Sequence, residues 1–332
     1  MWICKLMATV IVLAVAVSLV PAQQETVFMS VLNSRRHRLA ASDNPMVGMF
    51  VSTDAGKQWI HQGWREYIRT FYTEAGPDGV QWSACGNGVL RSTDHGATWR
   101  ITTGWEVTEV LKVKVRPDNP QQVAAATAYG VITSTDAGAT WRTPLPGARP
   151  QFASDVIWVR GEGRTLLAAT EAGISRSTDL GVSWKPSGLK GKGIRVIVDV
   201  PGQTGTFWAG TEEDGVFLST DGGTSWNARS SGLMHKTVYT IAVDPSDSRI
   251  VYAGTFGGGV YKSTDKGASW AEHSEGLTNP DVHALVILPS HPATVFAGTL
   301  NGGLFVTSDG GTTWQFNSQE DAQVWGLSVR NE

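Results

Sequence analysis

The densest group of acid side chains in this 332-residue sequence is Glu212-Glu213-Asp214, three adjacent carboxylates. Paired carboxylates on opposite sides of a glycosidic bond are what glycoside hydrolysis needs, one as acid and the other as base or nucleophile. Neighbouring residues in a turn seldom present two carboxylates in that way, so a solvated turn is the competing explanation. Other chemistry is thinly supplied. Cys85 has no histidine beside it in the sequence and reads as a packed thiol, not a nucleophile. The histidines, at His37, His61, His95, His235, His273, His283 and His291, lack the spacing of metal ligands. HExxH, GxSxG, GxxxxGK(S/T), CxxC and EF-hand patterns are all missing, so neither a metal nor a cofactor is expected. Arg35-Arg36-His37-Arg38 could hold an anion, but it falls at a turn between the first two expected strands and reads as a solvated face.

The elements that would position these groups are short and turn-bound. Glycine is abundant at 38 residues, tryptophan reaches 14, and 17% of residues are charged against 41% apolar. That describes a folded, turn-rich chain and excludes disordered, collagen-like and coiled-coil classes. A net charge of −3 excludes nucleic-acid binding driven by bulk charge. Two cysteines cannot build a disulfide framework. Residues 1–22 place Lys5 ahead of the apolar run Leu6 to Val20 and end on Val20-Pro21-Ala22. This is the pattern of a secretory signal peptide cleaved near Ala22, with an apolar run shorter than the roughly 20 residues of a spanning helix. No cysteine comes next for lipid attachment, and Cys4 and Lys5 leave with the signal, shifting the net charge to −4.

Seven octets dominate the rest of the chain: STDAGKQW (52–59), STDHGATW (92–99), STDAGATW (134–141), STDLGVSW (177–184), STDGGTSW (219–226), STDKGASW (263–270) and TSDGGTTW (307–314). Their aspartates, Asp54, Asp94, Asp136, Asp179, Asp221, Asp265 and Asp309, are separated by 40, 42, 43, 42, 44 and 44 residues. Within a unit the order is constant. Val238–Val243, Ile250–Thr255, Val260–Asp265 and Ala268–Ala271 are four short β segments divided by Pro, Asp and Gly turns. Four strands in about 42 residues, repeated seven times, predict an all-β, seven-bladed β-propeller of four-stranded antiparallel blades, a single domain over 23–332. In each octet the aspartate reads as a turn-former accepting backbone N–H groups, the glycine as a φ > 0 position and the tryptophan as an apolar face returned to the blade. Val27–Leu32 sits where the first blade's inner strand should lie, yet Val324–Val329 also matches an inner strand. The C-terminal segment is expected to pair with the N-terminal blade and close the ring. Which strand is displaced stays open.

The S-T-D-x-G-x-x-W octets resemble the Asp-box, or BNR, repeat shared by sialidases, sortilin-type propellers, xyloglucanases and photosystem II assembly-factor-like proteins. The resemblance covers nearly all of the chain after residue 22. It implies that the octets are structural and lie on the outer, bottom side of the blades, away from the usual ligand face. Ligand contacts are then expected from two loop sets on the opposite, top face. Loops between second and third strands offer Tyr129, Glu171, Glu212, Asp214 and Phe256. Connections between blades offer Trp64, Arg65, Trp105, Arg149 and His235. Trp64 and Trp105 come after a glycine as Leu189, Leu233 and Leu277 do, so apolar packing would also explain them.

The leading expectation is a secreted or periplasmic, monomeric, non-catalytic ring that binds a protein or glycan through its top face, as an assembly factor or recognition scaffold. No nucleic acid and, after signal cleavage, no membrane span are expected. The alternative is a glycoside hydrolase. A sialidase-like enzyme would call for an F/Y-R-I-P motif, which is missing, and for fewer blades. A xyloglucanase-like one would call for a second propeller, for which the chain has no room. The even repeat also leaves no insertion for a catalytic lid.

Overall fold

Each octet lies between the third and outer strands of its own small antiparallel sheet, and seven such sheets form the ring. The computed structural model describes residues 25–34, 47–62, 68–143 and 152–331. Residues 1–22, the Arg35–Arg38 cluster, Trp64, Arg65 and Arg149 lie outside them. Blades 2 to 7 begin with the inner strands Thr70–Ala75, Val110–Val115, Ala153–Trp158, Ile194–Asp199, Val238–Val243 and Val282–Leu288. Six sheets have four strands, while blade 3 has three and a lone bridge, Thr133 to Arg142, in place of the fourth. In blades 2, 5 and 6 the N–H groups of Thr102, Arg229 and His273 extend this pairing to the carbonyls of Val89, Val216 and Val260.

Blade 1 is built from both chain ends. Its strand order is Ala322–Asn331, Glu25–Ser34, Gly48–Ser52, Ile60–Gln62. The C-terminal strand is therefore the inner one, and Val27–Leu32 belongs to the second strand instead of the inner position its place in the chain suggests. Pairing runs from Glu25 opposite Asn331 to Ser34 opposite Ala322. This leaves no open edge at the join, which is the physical reason for the displacement.

The core sits between neighbouring sheets. Val196, Trp208 and Leu218 of blade 5 pack with Ile241, Val251 and Tyr261 of blade 6, and Val27, Met29 and Phe50 of blade 1 with Val286 and Phe296 of blade 7. Because both faces of each sheet are covered, second strands such as Leu166–Thr170 and Phe207–Thr211 are buried throughout and read as continuous apolar runs. Where the blades converge on the axis there is no room for bulk. A Cβ added at Gly254 would lie 2.5 Å from Thr240 and 2.7 Å from Val282 of the next blade.

The octets seal the rim. In all seven, the aspartate Oδ1 accepts the hydroxyl of the octet's first residue at 2.6–2.9 Å. It also accepts the backbone N–H four residues on at 2.8–3.0 Å. The same hydroxyl oxygen takes the glycine N–H at 2.8–3.0 Å. The hydroxyl four residues on, with these backbone donors, holds Asp94, Asp136, Asp221 and Asp265 at a pKa of about 2. The tryptophans then reach sideways. Trp59, Trp141, Trp226, Trp270 and Trp314 donate their indole N–H to Asn317, Thr102, Ser187, Arg229 and His273, each at or just past the outer strand of the preceding blade. Trp99 and Trp184 bond their own octet glycine carbonyls.

Candidate functional site: the mouth of the central channel

Every inner strand carries a β-bulge at the same place. Thr70 pairs with Cys85 and Tyr72 with Ala84, which leaves Phe71 as the extra residue. By the same register shift the extra residues are Leu111, Ser154, Arg195, Tyr239, His283 and Trp325. A bulge leaves one residue out of the ladder and re-aims its side chain. Here the seven bulged residues all line one cavity of about 650 Å³, walled by all seven inner strands.

Around this mouth the rings run in sequence. Phe71 meets Trp325 edge to face with centroids 5.8 Å apart, Trp325 meets His283 at 4.5 Å, and His283 stacks on Tyr239 at 4.1 Å. Phe256 closes on the other side of Tyr239 at 6.1 Å. The Arg195 guanidinium lies 5.4 Å from the Tyr239 centroid and is ion-paired to Glu212. The result is an aromatic arc over four consecutive blades that ends at a cation.

Two nitrogens in this arc lack partners among the described residues: Arg195 Nε and His283 Nε2, both shielded from solvent. Such atoms cost stability unless something satisfies them. His283 is only 9% exposed, and burial, with Arg195 beside it, lowers its pKa to about 4. The imidazole is therefore neutral at physiological pH and offers a hydrogen bond but no charge.

Deeper in the channel the lining becomes polar on one side. Lys114 bonds the Tyr72 hydroxyl at 2.8 Å and Glu74 at 2.7 Å. Burial opposes the Lys114 charge, but Glu74 and Tyr72 outweigh it and hold the ammonium well above its usual pKa. Burial raises the Tyr72 phenol and lowers the Lys112 amine. Lys112 Nζ rests 3.7 Å from the Tyr72 ring centroid. Three inner-strand N–H groups are already spent: Val115, Ile197 and Leu285 donate to Glu74, Asp155 and Thr240 of the preceding blade.

The loop candidates are divided by the structure. Glu212 and Phe256 reach the mouth. Asp214 is ion-paired to Lys192 at 2.7 Å, so Glu212 and Asp214 are each claimed by a different cation. Glu171 is exposed on its turn, and His235 lies against the backbone of Gly258. Tyr129 borders a separate cavity of about 250 Å³ outside the channel. Trp105 does not take the buried place that Leu233 takes, for it is 92% exposed against 4%. Val107 occupies that place, donating its N–H to Gly104 O as Leu233 does to Ser230 O. Cys85 is buried, and burial pushes its thiol up to about 11, while its Sγ–H bonds Gly88 O as Thr127 and Thr170 hydroxyls bond Gly130 and Gly173. No cluster of three or more possible metal ligands occurs among the described residues.

Phe71, Arg195, Tyr239, His283 and Trp325 sit on inner strands, not on the loops where ligand contacts were expected. One signal in the sequence could have found them: aligning the inner strands of the units shows the bulged residue, second in six of these strands and fourth in Ala322–Asn331, differing in every copy.

No protein-family model matches the chain, and no curated protein matches it in sequence. Solved structures do resemble it. A GH74 enzyme from Niastella koreensis is 22% identical with a TM-score of 0.59, over 84% of this chain and 42% of that one. The extracellular domain of a hybrid two-component system from B. thetaiotaomicron is 15% identical with a TM-score of 0.63, over 85% and 40%. YCF48 bound to D1 peptide is 18% identical with a TM-score of 0.57, over 81% and 99%. The chain thus spans about two-fifths of the first two and nearly the whole of the third. At these identities the likeness establishes the architecture, a seven-bladed β-propeller.

Proposed function

We propose that this chain is a secreted or periplasmic, non-catalytic Asp-box propeller that binds a protein or glycan partner at the mouth of its channel. The observation that carries the reading is the mouth itself: seven bulged residues, all different, lining one concave cavity, four of them joined in an aromatic arc that ends at Arg195. Secretion rests on the signal-like residues 1–22 and is in keeping with the extracellular domain among the structural neighbours. Binding without catalysis is in keeping with the pairing of Glu212 and Asp214 to separate cations, and with a structural neighbour that is a complex with a peptide. Among the described residues no helix is long and apolar enough to cross a membrane.

The test is to screen the purified protein against peptide and oligosaccharide arrays beside a Trp325→Ala variant. Binding by the wild type that weakens roughly tenfold or more in the variant is expected for loss of an aromatic anchor. Sugar release from sialosides, β-glucans or xyloglucan, abolished in a Glu212→Gln, Asp214→Asn variant, would establish the glycoside hydrolase alternative instead.

A further inference from the structure

Inside the channel Lys112 is a basic side chain without a direct ion pair. Its Nζ makes no salt bridge and no hydrogen bond among the described residues and rests over the Tyr72 ring face. A ring face favours the charged form of an amine, which opposes the effect of burial. The acids around it are occupied. Glu74 is taken by Lys114, the Tyr72 hydroxyl and the Val115 N–H. Asp155 offsets part of the Lys112 charge through space, but its two oxygens accept the N–H groups of Val156 and Ile197. A second cation, Arg195, faces the same cavity with its Nε unpartnered.

Building on the binding reading above, we propose that the channel takes the end of an acidic saccharide. Its carboxylate is held at Lys112, its ring lies against the arc of Trp325, His283 and Tyr239, and its hydroxyls lie toward the partly exposed Arg195–Glu212 pair. Three features favour a sugar over a peptide. The inner-strand edges at Val115, Ile197 and Leu285 already spend their N–H groups on side chains, so no backbone ladder is on offer there. The donors left over belong to side chains, which suits scattered hydroxyls. A cavity of about 650 Å³ closed on all sides by strands admits the end of a chain more readily than its middle.

The experiment is calorimetric titration of the full chain with three probes: a trigalacturonate, the same trisaccharide with its carboxyl groups reduced to alcohols, and a short peptide with a free C-terminal carboxylate. Lys112→Met, Lys112→Arg and Trp325→Ala variants are run in parallel, each checked by circular dichroism to be fully folded at the titration temperature. The expected result is that the acidic sugar binds at least about tenfold tighter than its reduced form. Lys112→Met should erase that preference, Lys112→Arg should keep it, and Trp325→Ala should weaken both sugars. Equal affinity for the two sugars, a preference unchanged in Lys112→Met, or binding of the peptide alone overturns the proposal while leaving a binding ring in place. No binding by any probe overturns the proposal alone, whereas binding that ignores Trp325→Ala overturns both the proposal and the mouth as the binding site.

Discussion

The rim and the mouth of this ring are made by the same repeat, and they have been treated in opposite ways. At the rim, seven copies supply seven aspartates, seven glycines and seven tryptophans, opened by six serines and one threonine. At the bulge of the inner strand, seven copies supply Phe71, Leu111, Ser154, Arg195, Tyr239, His283 and Trp325, no two alike. Both positions recur with the same period, so general drift of the repeats does not explain the contrast. The rim does one geometric task seven times, closing a turn and fastening a blade to its neighbour. On the proposed binding reading, the mouth divides a single task among seven places, each facing a different part of the partner. Uniformity then marks what folds the ring, and diversity marks what it would meet.

The largest expected effect compares two tryptophans. Trp270 is 6% exposed, packs edge to face on Trp208 at 6.3 Å and bonds Arg229 O. Trp270→Ala should cost about 3–5 kcal/mol in chemical denaturation and leave ligand affinity of the folded protein unchanged. Trp325→Ala should cost about 1–2 kcal/mol and lose binding. Equal stability losses would erase the distinction between rim and mouth.

A smaller effect separates two glycines of nearly equal backbone shape. Gly267 has φ +74° and a Cβ there would lie 2.5 Å from Trp208, whereas Gly191 has φ +76° with nothing within 4 Å. Gly191→Ala should cost about 1 kcal/mol, the left-handed strain alone. Gly267→Ala adds overpacking and should cost about 2–4 kcal/mol. Melting temperatures of the two variants check the difference.

The finest contrast is in pH. The His283 pKa falls from 6.5 to about 4 on folding, so as pH drops the unfolded chain takes up the proton first. Stability should therefore decline between about pH 6.5 and pH 4, and His283→Gln should flatten that interval. The octet aspartates, lowered from 3.8 to about 2, contribute stability that is complete above 3.8 and fades toward pH 2. The rim step should survive in the His283 variant. A single merged step unaffected by that substitution would show that the mouth histidine does not titrate as its burial requires.

Much of the fold was legible because its signals are local. Octet spacing, turn residues and short apolar runs announce seven four-strand units, and the structure has seven blades, with a lone bridge standing for the fourth strand of the third. The place of Val27–Leu32 was not legible, since its rank in the blade depends on a strand at the far end of the chain. Trp105 departs from its expected packing place because a loop of slightly different course lets Val107 fill the buried position.

The site shows the same division. Short-range rules about Asp, Gly, Pro and β-branched residues suffice to build each blade, so the sequence by itself determined the kind of ring and the number of blades. Where Phe71, Trp325, His283, Tyr239 and Arg195 would meet was decided only by tertiary structure. Arg195, Tyr239, His283 and Trp325 stand 44, 44 and 42 residues apart in turn, and Phe71 is 254 residues from the Trp325 it touches. They become neighbours because ring closure brings both ends together and a bulge in each inner strand turns one side chain toward the same axis.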